Sequence, residues 1–328
     1  MMNKLSDNSS THCSLTMELS TGASNNRPTN VYIWDMDETL ILLKSLLDGT
    51  YVQAFGGLKD SRKGIEIGKL WETQILQICD DHFFYEQIED YNEPFLLALN
   101  EFDDGKDLSD YDFNNDGLSF PCDDSNRRKL AYRHRAIADK YTKGLRNFLD
   151  QNMIKQWDDL YMLTDNYTDG WLSSGRALLD QISGRTKAAT SHPSSSENTC
   201  DDIVMKCQDI NVLVTSGSLI PSLVKCILFL LDDHIIYDNV YSSWEVGKLQ
   251  CFSWIRERFG GGPSVRFCVI GDGMEECEAA ERMCWPFVKM DFRPKAPHRL
   301  PGLTVRVIQH YMEVIYGPFN SADDEKEL

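Results

Sequence analysis

The sequence has no apolar run approaching the roughly 18 residues that a membrane-spanning helix needs. Its longest tempting run, Cys226–Leu231, is far shorter. No charged-then-apolar signal pattern opens the chain. No Lys/Arg-rich run or basic import signal is present, and 33 basic residues face 51 acidic ones, for a formal net charge of -18. That field repels nucleic acid phosphates, so no nucleic-acid partner is expected. The ten cysteines include no CxxC pair. Those in apolar runs, such as Cys226 and Cys268, read as small buried thiols in a reducing compartment rather than as disulfides. These absences lead to the expectation of a soluble intracellular protein, cytoplasmic and/or nuclear, without a membrane partner. What is present is a chain of 328 residues, 42% hydrophobic. That suffices for a large core, or for a core domain with a second, smaller one.

The organising stretch is Val31-Tyr32-Ile33-Trp34-Asp35-Met36-Asp37-Glu38-Thr39. Four apolar residues, β-branched and aromatic, read as a buried strand. In an extended chain residues i and i+2 point the same way, so Asp35 and Asp37 are expected to leave the strand end on one side. Carboxylates beside a hydrophobic strand call for a pairing partner or a cation, which suggests a metal or phosphoryl site.

Before that strand, residues 1–29 are rich in Ser, Thr and Asn without an apolar period and read as a disordered leader. After it, Leu40–Leu47 and the Asp48-Gly49 turn form either a flap beside the acids or an ordinary core helix or hairpin. Residues from about 60 to 185 read as mainly helical, with Ile67, Leu70, Trp71, Ile75 and Ile78 at spacings of three and four. The Asp/Asn/Gly-rich stretch 103–117 lacks the DxDxDG spacing and closing Glu of an EF-hand and reads as a solvated loop. A helix is expected from Asn126, with Arg133, His134 and Arg135 on a solvated or salt-bridged face, or drawing in an anionic substrate. The stretch 184–200 has Ser-rich linker composition, and 318–328 reads as an acidic tail.

Beyond the linker the texture alternates. Strands are expected at Ile210–Thr215, Val240–Tyr241, Val265–Ile270 and Pro286–Met290, and helices to about Leu231 and over Lys248–Phe259, Glu275–Met283 and Val305–Tyr316. Alternation of this kind makes an α/β fold with a parallel sheet, whose strand ends gather along one edge. Those ends carry Asp35 and Asp37, then Thr215, then Gly271-Asp272-Gly273-Met274-Glu275-Glu276, with Lys248 at an intervening helix start. Phosphoryl transfer needs such a set: a nucleophile, a hydroxyl donor, a cation for the phosphoryl oxygens and Mg²⁺ on hard carboxylates. Gly271-x-Gly273 mimics a dinucleotide fingerprint, but Glu276 stands where the third Gly would be. Cys122 to Arg128 fits C-x5-R, yet its loop holds two acids and no Gly, so it would repel a phosphate rather than cradle it.

On these residues the sequence resembles the haloacid dehalogenase superfamily. Its DxDxT signature is met by Asp35 to Thr39, and its later motifs look matched by Thr215, Lys248 and Asp272 with Glu276. The resemblance is closer to the Eyes Absent phosphatase domain, in its plant form, and spans about residues 30–316. It rests further on Ser45–Tyr51, Gly105–Ser109 and Asn211–Thr215.

The resemblance implies a Rossmann-like three-layer core with a helical cap inserted after the first strand and flap. The core would comprise 30–57 and 201–317, and the cap 58–183. It implies a Mg²⁺-dependent protein tyrosine phosphatase in which Asp35 forms an aspartyl-phosphate and Asp37 serves as general acid, then base. Thr215 would donate to a phosphoryl oxygen, and Lys248 would neutralise charge and orient Asp35. Mg²⁺ would be held by the Asp35 carboxylate, the Asp37 backbone carbonyl and Asp272, with Glu276 in the outer shell or through water and Glu275 as its substitute. The implied partner is a phosphotyrosine protein or peptide. A small-metabolite phosphomonoesterase of the same superfamily, or a non-catalytic scaffold or transcription cofactor, are the alternatives. The long transactivating region of animal members has no counterpart here, so a cofactor role does not carry over.

Overall fold

The computed structural model describes residues 29–184, 208–262 and 264–318. The leader, the linker beyond residue 184 and the tail beyond 318 lie outside those residues. Five strands form one sheet: β1 (Thr29–Trp34), β2 (Gln208–Thr215), β3 (Val240–Ser242), β4 (Val265–Gly271) and β5 (Phe287–Lys289). Their order is β3-β2-β1-β4-β5, and every pairing is parallel. The chain therefore builds outward from β1 to one side and then to the other. That reversal opens a crevice at the C-terminal ends of β1 and β4. The continuous apolar runs follow from burial on both faces. Tyr32, Trp34, Leu213, Cys268 and Ile270 face one layer, while Val31, Ile33, Val212, Val214, Phe267 and Val269 face the other.

The second layer consists of α9 (Lys248–Phe259) and α10 (Met274–Met283), packed through Cys251, Phe252, Ile255, Ala279 and Ala280. The first is larger. It contains α8 (Leu219–Leu228) and α11 (Val305–Tyr316), together with helices inserted between β1 and β2. These are α3 (Ser61–His82), α4 (Tyr85–Ile88), α5 (Asp124–Lys143), α6 (Gln151–Tyr167) and α7 (Trp171–Ile182). They share one hydrophobic cluster with the sheet face. Trp71 packs on Phe229 with ring centroids 4.3 Å apart, and Trp157 Nε1 donates to the Leu228 carbonyl at 2.8 Å.

Leu40–Leu47 and its turn form two short helices, α1 (Lys44–Leu47) and α2 (Thr50–Ala54). Leu46 and Tyr51 are fully buried, so this stretch is part of the core rather than a hairpin. Its seat is specific: a Cβ on Gly68 of α3 would lie 2.9 Å from the Leu47 backbone nitrogen.

Three expectations need correction. Leu70 is exposed although it keeps the helical period of α3, because the apolar stripe is narrower than the spacing suggested. α8 ends at Leu228, short of Leu231, where Leu230 turns the chain at φ 58°. On α5, His134 is buried against the Leu96 carbonyl rather than solvated, while Arg133 takes the salt-bridged alternative, itself buried. Arg133 forks onto Asp116 at 2.7 and 3.1 Å, a paired burial that anchors the acidic loop. Among the described residues, no helix is long and apolar enough to cross a membrane. The described cysteines are all unpaired, and Cys79, Cys226, Cys251 and Cys268 are buried.

Candidate functional site

β1 stops at Trp34, and the chain then folds into a tight turn. Leu40 and Ile41 donate to the Met36 carbonyl, and Glu38 donates to the Ile41 carbonyl. Glu38 takes a left-handed φ of 61° to allow this. Because the strand has ended, the period-two expectation for Asp35 and Asp37 lapses. Their carboxylates are held by helices on opposite faces of the sheet, Asp35 by Lys248 of α9 and Asp37 by Lys225 of α8.

Asp35 is buried. Lys248 Nζ donates to its Oδ1 at 2.6 Å, and Thr39 Oγ1 donates to its Oδ2 at 3.3 Å. Burial first, and then the nearby Glu276 and Asp272 carboxylates, push the Asp35 carboxyl up to about 7, although Lys248 pulls the other way. Burial works against the charge on Lys248, yet Asp35 and Glu276 together hold its pKa above the ordinary lysine value. Asp272, just past β4, is likewise raised, by burial and then by Glu276. Among the described residues, oxygens of Asp35, Asp272 and Glu276 lie within 4.8 Å of one another. Three crowded carboxylates face Lys248, with Lys289 also acting on Asp272, and an excess of negative charge remains. Hard oxygen donors in that arrangement suit a divalent cation. In the 36–41 turn, the flanking Met36 and Ile41 carbonyls take the hydrogen bonds and that of Asp37 takes no part.

The structure gives Glu276 a definite local task. Its Oε2 accepts from Lys248 Nζ at 2.8 Å, and its Oε1 accepts from the Gly273 backbone N–H. Burial alone would raise its pKa, but Lys248 and that N–H hold it below the usual carboxylate range. The carboxyl folds back over its own loop, and a Cβ on Gly271 or Gly273 would come 2.7 or 2.8 Å from a Glu276 oxygen. The two glycines leave room for that carboxyl, a local role that needs no dinucleotide. Glu275, the substitute ligand, does something else: its Oε1 accepts the Lys248 backbone N–H at 2.9 Å. It thereby caps α9, whose own N-cap, Gly247, has no side chain to offer.

Thr215 ends β2. Its Oγ1 accepts from the Gly217 N–H at 3.2 Å, which leaves the hydroxyl proton to donate elsewhere. Ser243, from the loop after β3, donates through N–H and hydroxyl to the Thr215 carbonyl at 2.8 and 3.0 Å. The inserted segment reaches this loop as well. Asn92 Oδ1 accepts from the Leu219 N–H at 2.8 Å, and the Pro94 carbonyl accepts from the Ser242 N–H at 2.8 Å. Cys122 is exposed at the start of α5, and Arg128 pairs with Asp104 instead of turning back to it.

Two residues near the acids escaped the sequence reading. Lys225 donates to both Asp37 oxygens, at 2.9 and 3.0 Å. The available signal was a single charge within the otherwise apolar Leu219–Leu228. Glu38 accepts the Leu43 and Ser45 N–H groups at 3.2 and 3.1 Å, tying the start of α1 to the acid turn. Burial, with Asp37 and Asp272 adding to it, pushes Glu38 up to about 7 despite those bonds.

No protein-family model matches the chain. It is 56% identical over 310 residues to protein phosphatase EYA of Arabidopsis thaliana, covering 94% of this chain and 98% of that protein. It is 31% identical over 281 residues to human protein phosphatase EYA2, covering 81% of this chain and 48% of that protein. The Drosophila melanogaster protein phosphatase eya is 32% identical over 279 residues, covering 79% of this chain and 33% of that protein.

Proposed function

The chain belongs to the Eyes Absent family of protein phosphatases, and on that premise we propose that it hydrolyses phosphotyrosine in proteins, with Mg²⁺, through an aspartyl-phosphate. One observation carries the reading: the buried Asp35 carboxylate lies where Lys248, Thr39 and the Asp272–Glu276 pair converge.

Asp35 is the nucleophile. Lys248 orients its Oδ1 and offsets charge as a phosphate dianion approaches. Thr215 has a hydroxyl proton free for a phosphoryl oxygen. Asp37 donates a proton to the leaving oxygen and later takes one from water. Asp272, the Asp35 carboxylate and the Asp37 carbonyl are the proposed ligands. Glu276, bonded to Lys248 and the 271–273 loop, holds the lysine in place and would stand in the metal's outer shell or bind it through water. Bound there, Mg²⁺ supplies positive charge to the phosphoryl oxygens, which acids alone would repel. Tyrosine suits the site because its free pKa near 10 makes it a comparatively good leaving group.

The test compares kcat/KM on phosphotyrosine peptides, phosphoserine peptides and a metabolite panel with Mg²⁺. Preference for phosphotyrosine peptides, abolished by EDTA and spared by a thiol alkylator, is the expected result. Equal or better rates on metabolites would overturn the protein substrate. Turnover by a folded Asp35→Asn variant would exclude Asp35 as nucleophile.

A further inference from the structure

We propose that Lys225 is a positioning residue for Asp37, fixing its carboxyl group for proton transfer to the leaving oxygen. This rests on the reading of Asp37 as the acid–base group.

Lys225 is the one charged residue of α8, between the fully buried Val224 and Cys226. A free lysine side chain loses much rotamer entropy on being ordered. Here the stem is enclosed by the helix packing, and only 14% of the side chain is exposed. Its ammonium bonds both Asp37 oxygens, 2.9 and 3.0 Å away and 188 residues earlier in the chain. The ionised carboxylate accepts from this nitrogen through both oxygens, which restricts its rotation; when one oxygen carries the proton to be donated, the bond to the other remains and keeps the group aimed.

The anchor is itself rigid. α8 packs beneath α3 and β3, and the Asn92 side chain accepts from the Leu219 N–H at its start. The backbone of Asp37 is fixed from the other side by the turn bonds of Met36, Glu38 and Ile41. The pattern is a division of labour. The helix after β2 supplies a lysine to Asp37, and the helix after β3 supplies Lys248 to Asp35.

The bond accounting shows where this matters. As the Asp35 oxygen bonds phosphorus, the bond from phosphorus to the substrate oxygen breaks. Its electron pair stays on that oxygen, which takes the proton of the Asp37 carboxyl group. Water then bonds phosphorus and gives a proton to the Asp37 carboxylate, while the Asp35–phosphorus bond breaks and returns its pair to Asp35. A misaimed Asp37 carboxyl group costs most where the leaving oxygen is most basic.

The test follows kcat and KM of the full chain with Mg²⁺ on aryl phosphates ranging from strongly acidic phenols to a tyrosine-like phenol. Wild type, Lys225→Met, Lys225→Arg and Asp37→Asn are compared after checking their fold by circular dichroism. Lys225→Gln, which keeps a neutral donor, stands in if Met compromises folding. Lys225→Met is expected to lower kcat about tenfold or more on the tyrosine-like substrate, within the range a positioned acid supplies, and less than about threefold on the most acidic phenol. KM should move little, and Lys225→Arg should restore much of the loss because its fork also fits both oxygens. A loss equal for all leaving groups, or no loss, overturns the proposal. If Asp37→Asn leaves the leaving-group dependence unchanged, the acid–base reading itself fails and Lys225 falls with it. A proton-transfer defect in Asp37→Asn alone overturns only Lys225.

Discussion

Lys248 Nζ and Asp35 Oδ1 meet at 2.6 Å although 213 residues separate them in the chain. The same ammonium bonds Glu276, so one cation serves two buried carboxylates. Removing it in Lys248→Met should destabilise the metal-free protein by about 3–5 kcal/mol, the usual result of stranding a buried charge. Chemical denaturation measures this. Activity should fall about 10²–10³-fold, and Lys248→Arg should not rescue it, since a planar fork cannot replace a point charge between two acids.

Metal binding should release protons in a pH-dependent way. With Asp35 pushed up to about 7 in the metal-free protein, its carboxyl is mostly protonated at acidic pH. The ligand must lose that proton. Calorimetry in buffers of different ionisation enthalpy should show uptake of Mg²⁺ releasing most of one proton near pH 6 and little near pH 8. Proton release unchanged across that range would contradict the Asp35 assignment.

Glu38 sets a second pH dependence, in stability. Its carboxyl rises from 4.5 to about 7 on folding, chiefly through burial, so the folded state favours the protonated form. The associated stability is present below the unfolded pKa and is lost as pH rises through about 7. The melting temperature of wild type relative to Glu38→Gln should therefore fall from about pH 4.5 to above 7. A flat difference across that window would show that Glu38 does not titrate there.

Gly271→Ala tests the folded-back acid. The added Cβ would meet Glu276 Oε1 at 2.7 Å and Cγ at 2.8 Å. Glu276 must move away from Lys248, at a cost of about 1–3 kcal/mol for overpacking. Melting temperature and kcat should drop together.

Arg133→Met should behave differently. It leaves the half-buried Asp116 without its cation, although Tyr111 and Leu118 still donate to it, and should cost about 1–3 kcal/mol of stability. Its kcat at a temperature where it remains folded should match wild type, because no part of that network touches Asp35.

The parallel sheet was legible because each strand is a short apolar run ending in a chemically marked residue. Asp35, Thr215, Lys248 and Asp272 were legible as candidates for the same reason. Their ordering after successive strands brings them to one edge, which no single motif implies. Less legible were residues whose task depends on a partner far away in sequence. Lys225 reads as an ordinary helix lysine until α8 is laid beside the 36–41 turn. Arg133 reads as a base on a solvated or salt-bridged helix face, and its partner Asp116 appears only when the acidic loop folds over it. Glu275 and Glu276 are adjacent acids with different tasks, and only their directions from α10 separate a helix cap from a lysine anchor. The period-two rule puts Asp35 and Asp37 on one side only while a strand continues, and β1 ends at Trp34.

The sheet order has a consequence for biosynthesis. β1 lies at the centre of the sheet, between β2 and β4. It leaves the ribosome early, yet its register partners Gln208–Leu213 and Val265–Ile270 are made much later. Until then the Thr29–Trp34 segment has two open edges and an apolar face on each side, a state prone to mispairing. The strand leading into Asp35 thus precedes the other described strands yet waits for β4 before it has both neighbours. A nascent chain arrested before β4 would carry Asp35 without Asp272 or Glu276, so the acid cluster should assemble only after α10 has emerged.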